Sequence, residues 1–248
     1  MFEHTMNDQH NVAILTLDNG ITNAITPELV NNLSESLSRI KTNAIGLIIC
    51  GRERFFSIGL DLPYLLDLNR SDMSRFWHQF NGLILDLYSL PIPTVCAISG
   101  HAVAGGKILS LACDYRFATS EVRKIGLNEI KLGVPVPYLA DLLLKQIVGE
   151  RLALHLLYGG DLINLSEAKS IGLVDEIHSK EQLKQAAIEK AGMLGNGGMR
   201  AFTHMKCTRA EEILCKYNKN SGAKNKLFLD LWFDKKIQER LKAASEKF

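Results

Sequence analysis

The stretch from Pro93 to Asp114, Pro-Thr-Val-Cys-Ala-Ile-Ser-Gly-His-Ala-Val-Ala-Gly-Gly-Lys-Ile-Leu-Ser-Leu-Ala-Cys-Asp, constrains this chain more than any other. Thr94 to Ile98 is a short apolar, β-branched run that reads as a buried strand. Ser99-Gly100 breaks it, and the Gly105-Gly106 pair opens a second apolar run spaced as a buried helix. A helix start leaves its first N–H groups unpaired and partly positive. Glycine there lets a ligand approach the backbone. Such a site stabilises negative charge developing on a carbonyl oxygen. The same pattern also suits a helix packed closely on a strand, with glycines chosen for fit.

With 248 residues, 46% of them hydrophobic and 23% charged, the chain can bury a substantial core. A net charge of +2 and the lack of a basic stripe with interleaved aromatics argue against nucleic acid as a partner. Five scattered cysteines without C-x-x-C or Cys/His spacing fit buried thiols in a reducing compartment. The N-terminal residues lack the charge and apolar pattern of a signal peptide. No apolar run is long enough to cross a bilayer, and the C-terminal Glu-Lys-Phe matches no usable address. No membrane partner and a cytoplasmic location are expected.

Read in order, the chain looks α/β. Val12 to Leu17 reads as a strand. Thr26-Pro27-Glu28 reads as N-cap, first helical turn and early acid, opening a helix with Leu29, Leu33, Leu37 and Ile40 on one face. Gly46 to Cys50 is a second strand. Ser71 to Leu90 is a long helix stopped by Pro91 and Pro93. Tyr115 to Ala118 is a strand followed by a polar connection, Ser120 to Lys124. Tyr138 to Val148 and Glu150 to Tyr158 are helices parted at Gly149. Ser166 caps a short helix ending at Gly172, and Leu173 to Ile177 is a last strand. Beyond Glu181 the pattern is helical, hinged at Gly195 to Gly198, with a final long helix at roughly 223–247. A tail without strands is a docking or oligomerisation element, or a lid.

Two further stretches carry chemistry. Gly51 to Leu62 follows a strand directly and so lies where open α/β sheets bind ligands. Gly59 permits a sharp turn, Asp61 suits capping a helix at Leu62 or Pro63, and the Ile58 N–H is a candidate second donor beside that of Gly105. Arg52 and Arg54 are placed to meet phosphate, or simply to be solvated. Lys124 to Pro137 is a winding segment in which Glu129 sits between Leu127 and Ile130. A carboxyl buried there without a partner is pushed up in pKa, as a general base working near neutrality requires. No Walker loop, G-x-G-x-x-G, G-x-S-x-G or H-E-x-x-H is present, and His78 and His101 are isolated.

Arg54-Phe-Phe-Ser-Ile-Gly-Leu-Asp61, Ile98-Ser-Gly-His-Ala-Val-Ala-Gly-Gly106, Ala112-Cys-Asp-Tyr-Arg116, Ile125-Gly-Leu-Asn-Glu-Ile-Lys-Leu-Gly133 and Ser166-Glu-Ala-Lys-Ser-Ile-Gly-Leu-Val174 together resemble the crotonase superfamily, the enoyl-CoA hydratase/isomerases. The resemblance covers roughly residues 10–180. It implies a ββα spiral core over 1–190 and a helical C-terminal trimerisation region over 191–248. It implies an acyl-CoA thioester whose carbonyl is held by the Ile58 and Gly105 N–H groups, with Arg52, Arg54, Ser57, Leu60 and Asp61 binding the coenzyme A portion. Lys235, Lys236 and Arg240 of a neighbouring subunit are further candidates for the phosphates, in a homotrimer or a dimer of trimers.

Hydratases of that superfamily use two glutamates. Here the first position is Ile108 and the second Glu129, so the wording is closest to the Δ3,Δ2-enoyl-CoA isomerases, with Glu129 as the single base. No metal or redox cofactor is implied, since the substrate carries coenzyme A. The alternatives are a hydratase or another acyl-CoA lyase or hydrolase on the same scaffold, or a non-catalytic acyl-CoA-binding subunit. At Ile58 the family commonly has a smaller residue, which puts acyl specificity in question.

Overall fold

The computed structural model describes residues 2–246. The chain opens with an antiparallel pair, β1 (Phe2–Asn7) and β2 (Val12–Leu17), and then α1 (Pro27–Asn43). β1 went unread in the sequence because Glu3, His4 and Thr5 are polar and exposed, which leaves no apolar run to mark a strand. Thr26 caps α1 by accepting the Leu29 N–H at 3.2 Å. β3 (Gly46–Cys50), β4 (Phe55–Ser57), α2 (Leu62–Leu66) and α3 (Arg70–Tyr88) follow. α3 starts one residue earlier than expected because Asn69 caps it, accepting from the Asp72 N–H.

β5 (Thr94–Ile98), β6 (His101–Val103), α4 (Gly105–Leu111), β7 (Tyr115–Thr119), β8 (Lys124–Gly126) and the short α5 (Glu129–Leu132) come next. β3, β5 and β7 run parallel in a six-stranded sheet ordered β1-β2-β3-β5-β7 and a last strand, β10. β4, β6 and β8 run parallel in a second sheet of four strands. Each long strand therefore hands the chain to a short strand of the other sheet before a helix returns it. This is the ββα spiral anticipated from the motifs.

α6 (Tyr138–Val148), α7 (Glu150–Gly159), β9 (Ile163–Asn164), α8 (Leu165–Ser170), β10 (Glu176–His178), α9 (Lys180–Asn196), α10 (Met199–Trp232) and α11 (Lys235–Ser245) complete the chain. Several expectations are corrected here. Asn164, not Ser166, caps α8, accepting the Glu167 N–H at 2.8 Å. The last strand is shifted to β10, and Leu173 and Val174 serve as buried core residues before it. The single helix expected over 223–247 is two: α10 ends at Trp232, and the Asp234 side chain caps α11. Lys247 lies outside the described residues.

The division at 190/191 falls inside α9. Ala187, Ile188 and Ala191 of α9 pack on Ile48, Val95 and Phe117 of the main sheet. Phe228, Trp232 and Leu241 beyond it join the main core. α10 is also pinned by charge: Lys206 Nζ lies 2.7 Å from Asp114 Oδ2 and 3.0 Å from the Ile92 carbonyl. Of the roles open to the helical tail, covering the core is the one its own chain displays, because α11 packs across α2 and α5. Among the described residues no helix is long and apolar enough to cross a membrane.

Candidate active site

The loop after β4 is wired by its own backbone. Ser57 Oγ donates to the Asn23 carbonyl at 2.7 Å and accepts the Gly59 N–H at 3.1 Å. The Ile58 N–H donates to the Thr22 carbonyl at 3.1 Å. Ile25 and Leu60 form an isolated parallel bridge. In it the Ile25 N–H donates to the Gly59 carbonyl at 2.7 Å, and the Asp61 N–H to the Ile25 carbonyl at 3.0 Å. Successive residues of extended backbone face opposite ways, so the Leu60 N–H faces away from Ile25. It has no acceptor among the described residues.

The second loop meets the first. Ala104 holds a positive φ of 48°, a costly conformation for a residue with a Cβ, and its N–H donates to the Gly126 carbonyl at 2.9 Å. Gly105 follows as the first residue of α4, and its N–H is likewise without an acceptor among the described residues. The contact with Gly59 is close: a Cβ added at Gly59 would stand 2.9 Å from the Gly105 nitrogen. Two unpaired donors, at Leu60 and Gly105, thus belong to one cavity of about 420 Å³.

Glu129 supplies the third element of that cavity. It is 7% exposed, and its Oε2 has no hydrogen-bond partner among the described residues. Burial pushes its carboxyl up to about 7, against a smaller opposing effect of its own backbone N–H. Asp61, the other carboxylate lining the cavity, accepts the Tyr64 N–H at 3.0 Å and caps α2. Ile108, one turn into α4, is 2% exposed and presents hydrocarbon to the cavity. The remaining walls include Trp77 and Phe80 from α3, Phe228 and Trp232 from α10, and Leu241 from α11.

Set beside the sequence reading, Glu129, Gly105, Leu60, Asp61 and Ile58 come together in one cavity. Two assignments are corrected. The Ile58 N–H is occupied by Thr22, so the unpaired donor of this loop is Leu60, two residues on. Ser57 is fully buried, absent from the cavity wall and engaged in shaping the loop, so it is no coenzyme A contact. Arg52 is exposed and paired with Asp18. Arg54 is exposed over the Phe55 ring, near the cavity mouth. Lys235, Lys236 and Arg240 are exposed on α11, and Arg240 lies against Gly133 of the same chain. His101 Nδ1 accepts the Lys124 N–H at 3.0 Å, a structural role at the rim.

Sequence reasoning missed Asn23, whose Nδ2 donates to the Phe55 and Phe56 carbonyls at 3.1 and 3.2 Å. Asparagine tolerates positive φ and bonds backbone readily, but its partners lie over 30 residues away. The aromatic wall was missed for a similar reason, since α3 and α10 meet only in three dimensions.

A family model described as enoyl-CoA hydratase/isomerase matches residues 7–248. Enoyl-CoA delta isomerase 1, mitochondrial, of Homo sapiens is 32% identical over 71% of this chain, a match spanning 60% of that protein. A probable enoyl-CoA hydratase of Bacillus subtilis is 35% identical over 74% of this chain and 70% of its own length. The crystal structure of human mitochondrial delta3-delta2-enoyl-CoA isomerase superposes with a TM-score of 0.94 at 26% identity, covering 99% of this chain and 97% of that one. An enoyl-CoA hydratase from Bacillus halodurans superposes at 0.86 and 25% identity, covering 98% and 99%.

Proposed function

This chain belongs to the enoyl-CoA hydratase/isomerase family, and on that premise we propose that it is an isomerase moving the double bond of a 3-enoyl-CoA thioester to the 2-trans position. The observation that carries the reading is the pairing of one buried carboxylate, Glu129, whose Oε2 has no partner among the described residues, with an isoleucine at 108 in the same cavity. Hydration requires that water be held and split, and Ile108 has no atom to do either. Isomerisation needs a single base. Glu129 takes a proton from C2, negative charge collects on the thioester oxygen, and the same carboxyl returns the proton at C4. The Leu60 and Gly105 N–H groups are the proposed donors to that oxygen, worth about 3 to 4 kcal/mol each in comparable sites. A carboxyl titrating near 7 is matched to abstracting a weakly acidic carbon-bound proton near neutrality.

The substrate class follows from the family, and as proposed the reaction needs no metal or redox cofactor. Assembly as a homotrimer or a dimer of trimers, and a cytoplasmic location, are part of the same proposal. Sedimentation of the purified chain and imaging of a tagged one test them. The activity is tested with 3-hexenoyl-CoA and crotonyl-CoA on wild type and Glu129→Gln. The reading expects isomerisation that collapses in the variant. Hydration of crotonyl-CoA at a rate rivalling isomerisation would sink it in favour of a hydratase. Binding of acyl-CoA without turnover would favour a non-catalytic subunit.

A further inference from the structure

The catalytic cavity shares a wall with a second hollow of about 380 Å³, lined by Tyr138, Leu157, Tyr158 and Leu227 among others. Trp77, Pro137 and Phe228 line both. The Trp77 and Phe228 rings lie 3.7 Å apart at 6°, so the two spaces are separated by a pair of stacked rings. The halves of this partition are held differently. Trp77 Nε1 donates to Asn225 Oδ1 at 3.2 Å, and Asn225 Nδ2 donates to the Tyr217 hydroxyl at 3.2 Å. That chain fixes the indole. Phe228 has no polar anchor and rests on Trp77 and Trp232. Aromatic pairs favour offset or edge-to-face geometry over a close sandwich, so ring electrostatics do little to hold it.

The rest of the cavity says which part of a ligand meets these rings. On the proposed reaction, the donors at Leu60 and Gly105 and the Glu129 carboxyl, which line one cavity, mark where the reacting carbons sit. Trp77, Phe80, Phe228 and Trp232 are all buried and offer no charge to a phosphate. The solvent-exposed part of the lining is instead at Pro63 and the half-buried Phe55 and His101, with Arg54 over the Phe55 ring. A thioester seated at the donors therefore sends its coenzyme A toward solvent and its hydrocarbon tail toward the aromatic wall. The second hollow beyond that wall is open, with Tyr158 71% and Leu227 51% exposed, and its lining mixes hydrocarbon from Leu154, Leu157 and Leu227 with the charges of Asp141, Lys145, Glu150 and Lys224.

We propose that the Trp77–Phe228 stack is the end wall of the acyl cavity and sets the length of fatty acyl chain that this protein takes. Removing the Phe228 ring joins the cavity to the hollow beside Leu227, and longer tails are then accommodated. This inference rests on the acyl-CoA reading above.

The test is a ladder of saturated acyl-CoAs, butanoyl to hexadecanoyl, titrated calorimetrically into wild type, Phe228→Ala, Phe228→Leu and Phe228→Ala/Leu227→Lys. Wild-type affinity is expected to rise about fourfold per methylene, the equivalent of about 0.8 kcal/mol of buried hydrocarbon, and then to stop at a definite length. In Phe228→Ala that break moves to longer chains, and in Phe228→Leu, the variant safer for folding, it moves less. Leu227→Lys, which replaces hydrocarbon of the second hollow with a further charge, cancels only the extension. Breaks at the same length in wild type and both folded Phe228 variants overturn the wall assignment, as does a wild-type ladder without a break. Wild type that binds no acyl-CoA overturns both readings, whereas a shifted break without isomerase activity upholds the wall and removes only the isomerase.

Discussion

Gly59 and Gly105 touch backbone to backbone: a Cβ on the former would sit 2.9 Å from the nitrogen of the latter and 2.9 Å from the Ala104 Cβ. Gly59 also has a φ of +102°, which a side chain resists. Gly59→Ala is therefore expected to push the two loops apart and spoil both proposed donors. The loss in kcat should be about 100- to 1,000-fold, the size seen when one such donor is removed. Steady-state kinetics on a 3-enoyl-CoA, with circular dichroism to check folding, measure it.

Glu129 gives a pH signature. The base must be ionised to act, and burial holds its carboxyl near 7. kcat/KM should be level at alkaline pH and fall about tenfold per pH unit below that value. A profile flat between about pH 5 and 8, a window that spans this value, would remove Glu129 as the base.

The same carboxyl carries a stability cost with a definite sign. Its folded-state value, about 7, lies above the ordinary 4.5, so between those limits the folded chain holds the proton more tightly than the unfolded one. The favourable contribution is complete below 4.5 and is lost as pH rises through 7. Glu129→Gln has no charge to bury. It should be inactive yet more stable than wild type at alkaline pH, by on the order of 3 kcal/mol, with the difference vanishing in acid. Thermal or urea unfolding across pH measures it.

Ile108→Glu tests whether the missing second acid decides the reaction. The ratio of crotonyl-CoA hydration to isomerisation should rise by about a hundredfold, the lower reach of general acid–base assistance. Stability should fall, because position 108 is 2% exposed and a carboxyl there is desolvated. An unchanged ratio in a folded variant would show that this position does not select the chemistry.

Lys206 and Asp114 join α10 to the start of β7 with side-chain exposures of only 6% and 22%. Lys206→Met should destabilise by the lower part of about 3 to 5 kcal/mol, because Asp114 is left charged, partly buried and short of its partner. Thr94 still donates to it twice, at 2.8 and 2.9 Å, which softens the loss. Adding Asp114→Asn should recover part of it, and the pair is measured by denaturant unfolding as a double-mutant cycle.

Much of the scaffold could be read from adjacent residues. Val12–Leu17, Gly46–Cys50 and Thr94–Ile98 are strands with the expected limits. Thr26 and Asp61 cap the helices that they precede. In each case the hydrogen-bond partner is three residues away, or the signal is a continuous apolar run, and both are local properties. Glu129 and the glycine pair were legible for the same reason, as a carboxylate and a flexible turn set among hydrocarbon. The end of α10 was not, because 223–247 keeps one helical pattern across the break that Asp234 caps.

By itself, then, the sequence determined the alternation of strands and helices, the candidate base Glu129, the apolar residue at 108 and the glycine loops proposed as a backbone cradle, while the ββα order came from the family resemblance. Only the tertiary structure decided which N–H groups are left free to form that cradle. Ile25 arrives beside Gly59 and Asp61 and takes one side of the strand's hydrogen bonds, and Thr22 takes that of Ile58. What remains facing inward is Leu60. The direction of an amide along extended backbone is set by the neighbour that claims the alternate ones, and this neighbour lies more than 30 residues earlier in the chain.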